Sequence, residues 1–473
     1  VPRPGVDVSI LELPGAVSVP TDTGVWFVTG ITERGPLTPS LVQSLNDFNN
    51  QFGQRVSYSI IYDCMETYFR EGGNSAYIAR VVGPAAAVGT LNLPDASAAI
   101  SLVANGNGPG AWSANYKIAV IAGVTPGTYI IEVEDLLGNI LESSGELPDQ
   151  PSAVAWSQYS NYVRITQGAA LDNPAPMAAT ALSAGNDDRA NATDAQYQAA
   201  LDSFGIGLGP GQVSSPGRTT ATAYAQLVAH ADAKRRVAIL DGANTPTAAT
   251  LISAFSTITD RFTAVFAPWM IIPGVVVNTT RTVPPSPFIA GLCCQNDHLL
   301  GPNAASAGND GQSAFALDLT QPDWNDTDRA NLNNNGINVI RRMYGGIRNY
   351  GWRSQANPNS DRNWLSFGNS RLYMAIAAEL DQAGENYMFS EIDGQQGLTI
   401  QMFGQALNSV LDSHWRAGEL FGTAAQAYSV DVGPTVNTLQ TIANLELHAV
   451  CYVLMSPFAE WVEIQVVKNK IGQ

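Results

Sequence analysis

The chain has 473 residues, too many for one hydrophobic core, so two to four domains are expected. Only 14% of its side chains are charged, and 41 acidic against 24 basic residues leave a net charge of −17. That balance argues against wrapping nucleic acid, which takes concentrated Lys and Arg to displace phosphate counterions; the longest basic run is Lys234, Arg235 and Arg236.

In chain order, VPRPGVDVSILELPG sets Val6, Val8 and Ile10 on one side of an extended segment, with Pro2, Pro4, Gly5, Pro14 and Gly15 forbidding a helix. Val1 to Leu13 has no basic start followed by an apolar run, so no signal peptide is expected there. GVWFVTGITERGP reads as a buried strand, Pro39 to Phe48 as a helix, SIIYDCMETYFREGG as a helix stopped by Gly72 and Gly73, and AYIARVVG as a strand. Between about 86 and 180, KIAVIAG, TYIIEVEDLLGN and NYVRITQ are separated by turn residues and predict an all-β insertion. From about 181 strand and helix alternate again: AYAQLVAHADAKR and TAATLISAFSTITDRF read as helices, RVAILDG and TAVFAPWMII as strands. FTAVFAPWMIIPGVVV is broken by Pro268 and Pro273, falls short of a membrane span and reads as buried strands. Near 360 a last region begins, with helices in RLYMAIAAELDQ and LTIQMFGQALNSVLDSHWRAGELFG and a long apolar strand in IANLELHAVCYVLMSP. After Pro457, Val462, Ile464 and Val466 alternate with Glu463 and Gln465 as a closing strand.

Catalytic motifs are weak. Asp22, Thr23 and Gly24 spell the aspartic-protease triplet, but the second carboxylate that chemistry needs has no matching triplet. His230, His298, His414 and His448 supply bases without a GxSxG elbow, and no GxxxxGK[ST] loop is present. GIGLGPG (205–211) reads as a flexible loop. Asp297 and His298 are adjacent and read as loop hydrogen-bonding residues, not metal ligands. His414 and Trp415 share a helix with Phe403, Leu407 and Leu411 at three- and four-residue steps and read as a packed face. Cys64, Cys293, Cys294 and Cys451 lack zinc or CxxC spacing and read as buried free thiols. No enzyme activity, cofactor or metal is expected.

Two terminal strands suit a subunit that adds strands to its neighbours' sheets; the alternative reading ties each to a sheet of its own chain. An arm of about six residues gains roughly 1 kcal/mol for each of about five ladder hydrogen bonds, plus a few kcal/mol from three apolar side chains. Ordering it costs about 1 to 2 kcal/mol per residue, so a lone clasp is near break-even and forms only once the rest of the subunit has docked.

Over nearly its full length the chain resembles the contractile tail sheath proteins of bacteriophages and related injection systems. The resemblance lies in the order of PGV and its strand, FVTGITERGP, YFREGGNSAYIARVVG, GPGAWSANYKIAV, LSAGNDDRANATDAQYQAALDSF, VAILDG, VPPSPFIAGL, GPNAAS, GINVIRRMYGGIRNYGWRS, NSRLYMAIAAEL, NYMFSEID, HWRAGELFG and SPFAEWVEIQVV. The chain departs from that pattern at Arg371, which follows Ser370 where the family often pairs arginines, at Phe389 to Asp393, and at Trp352 after Gly351.

The resemblance implies a multidomain α/β protein: a non-catalytic middle domain of subtilisin-like topology (21–85 and 181–360), an all-β insertion (86–180), and an α+β C-terminal domain (361–473). The N-terminal arm (1–20) and the C-terminal arm (457–473) complete the C-terminal sheets of neighbouring subunits through Val6, Val8, Ile10, Val462, Ile464 and Val466. Joints are expected at Gly15 to Thr23 and at Met455 to Ala459. The resemblance further implies a helical, six-fold tube of stacked hexameric rings around an inner tail tube. Baseplate and tail terminator proteins are its other partners; nucleic acid and membrane insertion are not involved. The subunit assembles in the host cytoplasm and functions in the virion, driving the tube through the host envelope. Arg362, Arg371, Arg416, Lys468 and Lys470 are candidates to face an acidic tube. The competing readings are a hydrolase of subtilisin-like fold and another viral structural protein, such as a capsid subunit.

Overall fold

A computed structural model describes residues 21–321, 323–392, 397–460 and 462–465. These form two compact units, one of residues 23–205, 211–374 and the described residues from 457 on, the other chiefly the described residues of 375–456 with 206–210.

The larger unit opens with β1 (Trp26–Gly30), β2 (Ser40–Val42), α1 (Leu45–Phe52), α2 (Ile61–Arg70) and β3 (Ala76–Arg80). The insertion follows as β4 (Thr90–Pro94), β5 (Ile100–Gly106), β6 (Tyr116–Ala122), β7 (Tyr129–Asp135), β8 (Ile140–Ser143), α3 (Gln150–Ser157), β9 (Val163–Gln167) and β10 (Met177–Ala181). The α/β alternation then resumes with α4 (Asp194–Asp202), β11 (Gln212–Ser214), α5 (Ala221–Lys234), β12 (Val237–Asp241), α6 (Ala248–Phe255) and β13 (Thr263–Ala267). It continues through a hairpin of β14 (Met270–Pro273) and β15 (Thr280–Val283), then α7 (Ser286–Leu300), β16 (Asp318–Leu319), α8 (Asp326–Asn334), β17 (Ile337–Met343) and β18 (Gly346–Asn349). Helix α9 (Phe367–Glu385) leads into the smaller unit, which holds α10 (Leu398–Arg416), α11 (Ala424–Ala427), β19 (Tyr428–Asp431), α12 (Leu439–Ala443) and β20 (Val450–Val453).

One eight-stranded sheet in the order β18-β17-β13-β12-β11-β1-β3-β2 organises the larger unit; its inner pairings are parallel, and β2 and β18 join antiparallel at the edges. Strands β1, β12 and β13 are buried at every position, as expected for parallel strands covered on both faces. Phe288, Ile289, Leu292 and Cys293 of α7 and Cys64, Met65 and Tyr68 of α2 share a core with Trp26, Val28, Ile239 and Phe266 of the sheet. The helices begin where the sequence supplies acceptors: Thr193 and Gln196 form a capping box on α4, and the Thr220 side chain caps α5.

The insertion consists of two antiparallel sheets, β10-β6-β7-β8 and β4-β5-β9, around a core of Leu93, Leu102, Ile118, Val120, Ile131, Val133, Val163 and Ile165. Two buried arginines tie it to the α/β layer. Arg80, at the end of β3, donates to the carbonyls of Gly35 (3.0 Å) and Pro109 (2.7 Å), while Arg34 donates to Asn50 O (2.8 Å) and lies 4.4 Å from the centre of the Tyr162 ring. Burial pushes the Arg80 guanidinium down to about 10, still protonated at neutral pH.

Several local expectations are corrected. Within 39–48 the chain first pairs as β2, and helix α1 starts only at Leu45, where Ser44 accepts from Asp47 N. The insertion is not all β, since Pro151 starts α3 behind the Asp149 cap. TAVFAPWMII is two strands, because Pro268 cannot continue the ladder. Val275, Val276 and Val277 are 68%, 67% and 85% exposed at the tip of the β14–β15 hairpin, so the end of that apolar run is not buried. The stretch read as one long strand from Ile442 is the end of α12, a turn and the four residues of β20; Leu445 takes a positive φ, which no strand tolerates.

Arg80→Ala is expected to orphan carbonyls on both sides of the junction. It should lower unfolding stability by about 2–4 kcal/mol and expose the connections near 86 and 181 to limited proteolysis; wild-type cleavage and denaturant midpoint would refute that role.

Candidate assembly surface

In the smaller unit, α10 presents Gly404, Leu407, Leu411 and His414 as its buried stripe, as the spacing predicts. Gly404 is there because a Cβ would lie 2.9 Å from Val432 Cγ2, just past β19. Strands β19 and β20 pair antiparallel, Tyr428 opposite Val453 and Asp431 opposite Val450, as a two-stranded sheet. Among the described residues no third strand extends either edge. Val450, Tyr452 and Leu454 alternate onto one face and are 38%, 59% and 49% exposed. A pair of strands is marginal in water, and an apolar face beside open backbone edges is a template for further strands.

The root of the C-terminal segment is fixed. Leu454 N donates to Ala427 O (2.7 Å), Phe421 N to Leu454 O (2.8 Å), and Ser456 N to Glu419 O (2.9 Å). Glu419 is itself buried, its carboxylate bound to His414 Nδ1, while His414 Nε2 lies 3.3 Å from Glu379 of α9. Burial opposes charge on this imidazole, but the hydrogen bonds to Glu379 and Glu419 outweigh it and push its pKa up to about 9. The cation neutralises two carboxylates and holds the loop that pairs with 454–456. The helical spacing placed His414 inside; nothing local signalled Glu419 as its partner, because the loop after α10 has to fold back first.

The predicted assembly residues fare unevenly. Val6, Val8, Ile10, Val466, Lys468 and Lys470 lie outside the described residues. Val462 and Ile464 are 71% and 81% exposed and belong to no sheet. Arg362 is exposed on a single turn, and Arg416 is exposed but held 2.6 Å from Asp412. Arg371 is a correction: it is fully buried on α9, 2.6 Å from Asp297, and cannot face a partner.

The same Asp297 accepts from Thr23 Oγ1 at 2.5 Å, so the Asp22-Thr23-Gly24 triplet serves packing. His298, expected in a loop, is on helix α7 and pairs with Asn74 (2.9 Å). His230 is buried against Arg236 (3.0 Å), and burial with that neighbour lowers its pKa to about 3; His448 contacts Glu446 at 3.0 Å. Cys64, Cys293 and Cys294 are buried free thiols as expected, and Cys451 on β20 is half-buried.

One buried acid escaped the sequence reading. Asp241, at the end of β12, accepts from Ser286 N (2.8 Å), Ser286 Oγ (2.9 Å) and Gly217 N (3.1 Å), and burial raises its pKa to about 7. It accepts from two amides and a hydroxyl and so clips β12 to the first turn of α7. Among the described residues no group of three or more His, Cys, Asp or Glu side chains could hold a metal ion, and no helix is long and apolar enough to cross a membrane.

This architecture is the fold of contractile sheath and baseplate subunits, as the motif order suggested. The chain is similar to a protein of the anti-feeding prophage baseplate (19% identity, TM-score 0.60, covering 99% of this chain and 100% of that one). It is likewise similar to the sheath of an extracellular contractile injection system in its contracted state (17%, 0.55, 99% and 98%). A third likeness is to the sheath tail protein from Listeria innocua (13%, 0.61, 88% and 89%). No protein-family model and no curated protein matches.

Because the folded pKa of His414 exceeds its ordinary 6.5, its stabilisation is complete below about pH 6.5 and is lost as pH rises through about 9. His414→Gln is expected to lower the urea midpoint at pH 6 and to remove the decline between pH 6.5 and 9. An unchanged decline would assign that titration to another group.

Proposed function

We propose that this chain is the structural subunit of a contractile sheath, a tube of stacked six-fold rings around an inner tail tube, which contracts to drive that tube through a host envelope. The observation that carries the reading is the open-edged β19–β20 sheet, within a fold that matches sheath and baseplate subunits from end to end. Two more strands from neighbouring arms would turn a marginal pair into a four-stranded sheet with α10 behind it. A head-to-tail contact repeated around a ring and along its axis generates an open helical tube.

The remaining features support a mechanical role over a chemical one. Arg80, Arg236, Arg371 and Asp241 of the larger unit are held by backbone carbonyls, a hydroxyl or a carboxylate, and among the described residues no hydrogen-bonded Ser, His and Asp triad supports the hydrolase reading. The parallel sheet with helices supports reading the middle domain as a non-catalytic relative of the subtilisin topology. In this account contraction is rigid-body motion of subunits linked by their arms, with energy held in contacts made only in the contracted state. Inner tube, baseplate and tail terminator proteins are the partners, assembly occurs in the host cytoplasm, and the product belongs to the virion or to a phage-derived injector.

Deleting residues 1–12 or 461–473 is expected to leave a folded, soluble subunit that forms no tubes. Negative-stain microscopy of concentrated protein reads the outcome, and normal tubes from either truncation would sink the clasp.

A further inference from the structure

The C-terminal arm does not leave the fold freely. Past the hydrogen bond from Ser456 N to Glu419 O come Pro457 and then Phe458, which is half-buried against the core of the α/β unit. Two residues on, Glu460 is gripped by Arg353 in a bidentate pair, Nε to Oε1 at 2.7 Å and Nη2 to Oε2 at 2.5 Å. Beyond Pro457 the segment is therefore held on the α/β unit at Phe458 and Glu460.

The two halves of this grip differ in rigidity. Arg353 is prepositioned: its amide donates to Asn338 Oδ1 (2.7 Å), its carbonyl accepts from Asn338 Nδ2 (2.8 Å), and its Nη1 donates to Asn333 O (3.0 Å). Its neighbour Trp352 is buried. Glu460 instead sits on a short stretch outside any sheet. The side chains remain 20% and 39% exposed, so the pair is reachable by water and salt, which suits a reversible contact better than a permanent one. Arg353 also lines a cavity of about 180 Å³ with Phe255, Ile258 and Leu365, which gives the guanidinium room to turn once released.

We infer that Arg353 and Glu460 form a latch that gives the C-terminal arm two working lengths. With the latch closed the arm begins after Glu460. With it open, and Phe458 withdrawn, residues 457–460 join the arm and add about 13 Å of reach at ~3.3 Å per residue. This rests on the strand-addition reading above: an arm engaged in a neighbour's sheet must span a different gap when subunits rotate and move apart, and the latch supplies slack without unpairing the clasp.

Hydrogen exchange on the unassembled full-length subunit tests the latch apart from assembly. Glu460→Gln is expected to speed exchange of the 458–460 amides about tenfold while β12 stays protected as in wild type. Raising salt to about 1 M should speed the same amides in wild type and leave the variant unmoved. The charge-swapped pair R353E/E460R reports on the ionic contact, and slower exchange at 458–460 than in Glu460→Gln supports it. Unchanged exchange in Glu460→Gln, or equal salt dependence in both proteins, overturns the latch. In assembled material, the variant should raise the contracted fraction of tubes by micrograph count, and an unchanged fraction overturns the two-length role. Failure of wild type to form tubes would defeat the sheath reading, with the exchange data still deciding whether the latch exists.

Discussion

Backbone hydrogen bonds left open at a sheet edge are the constraint on which the smaller unit depends. A β-strand binds on two sides, and among the described residues β19 and β20 each use one. Helix α10 covers a face of the pair but cannot supply ladder partners, so the pair is completed by strands from elsewhere or stays marginal. In a monomeric enzyme such an edge would be an aggregation hazard; in the sheath reading proposed above it is where neighbouring arms would add. On that proposal the near break-even energetics of a lone arm become useful, because clasping would follow docking.

The larger unit differs in holding several buried charges on partners of its own. Arg236 is fully buried, stacked on Phe27, and donates to Phe204 O and Gly205 O, while Arg371 is matched by Asp297 and Asp241 by Ser286 and Gly217. Each of these groups costs free energy to desolvate and is retained where removing one partner would leave the other unpaired, which makes it a rigid clip. Rigid bodies with few adjustable contacts suit motion by whole-subunit rotation. The contact proposed to be adjustable is the Arg353–Glu460 pair, whose side chains remain partly exposed.

What could be read from sequence was periodic and local. The buried strands of β1, β12 and β13, the stripe on α10 and the β-rich insertion follow from alternation, helical spacing and turn residues, all properties of neighbours in the chain. Apolarity misled wherever it was taken as burial: Val275 to Val277 are as apolar as any core strand, yet they cap a hairpin in solvent. Charge misled in the reverse direction, since Arg371 looks like a surface cation and is buried on a carboxylate 74 residues away in sequence.

The sequence by itself determined much of the order of elements and their buried faces, because those depend on periodicity along the backbone. Tertiary structure alone decided which charges became internal clips, that β19 pairs with β20, and that Glu460 is held by Arg353. Each of these is a contact between segments distant in sequence, set by how the chain folds back and invisible to any spacing rule.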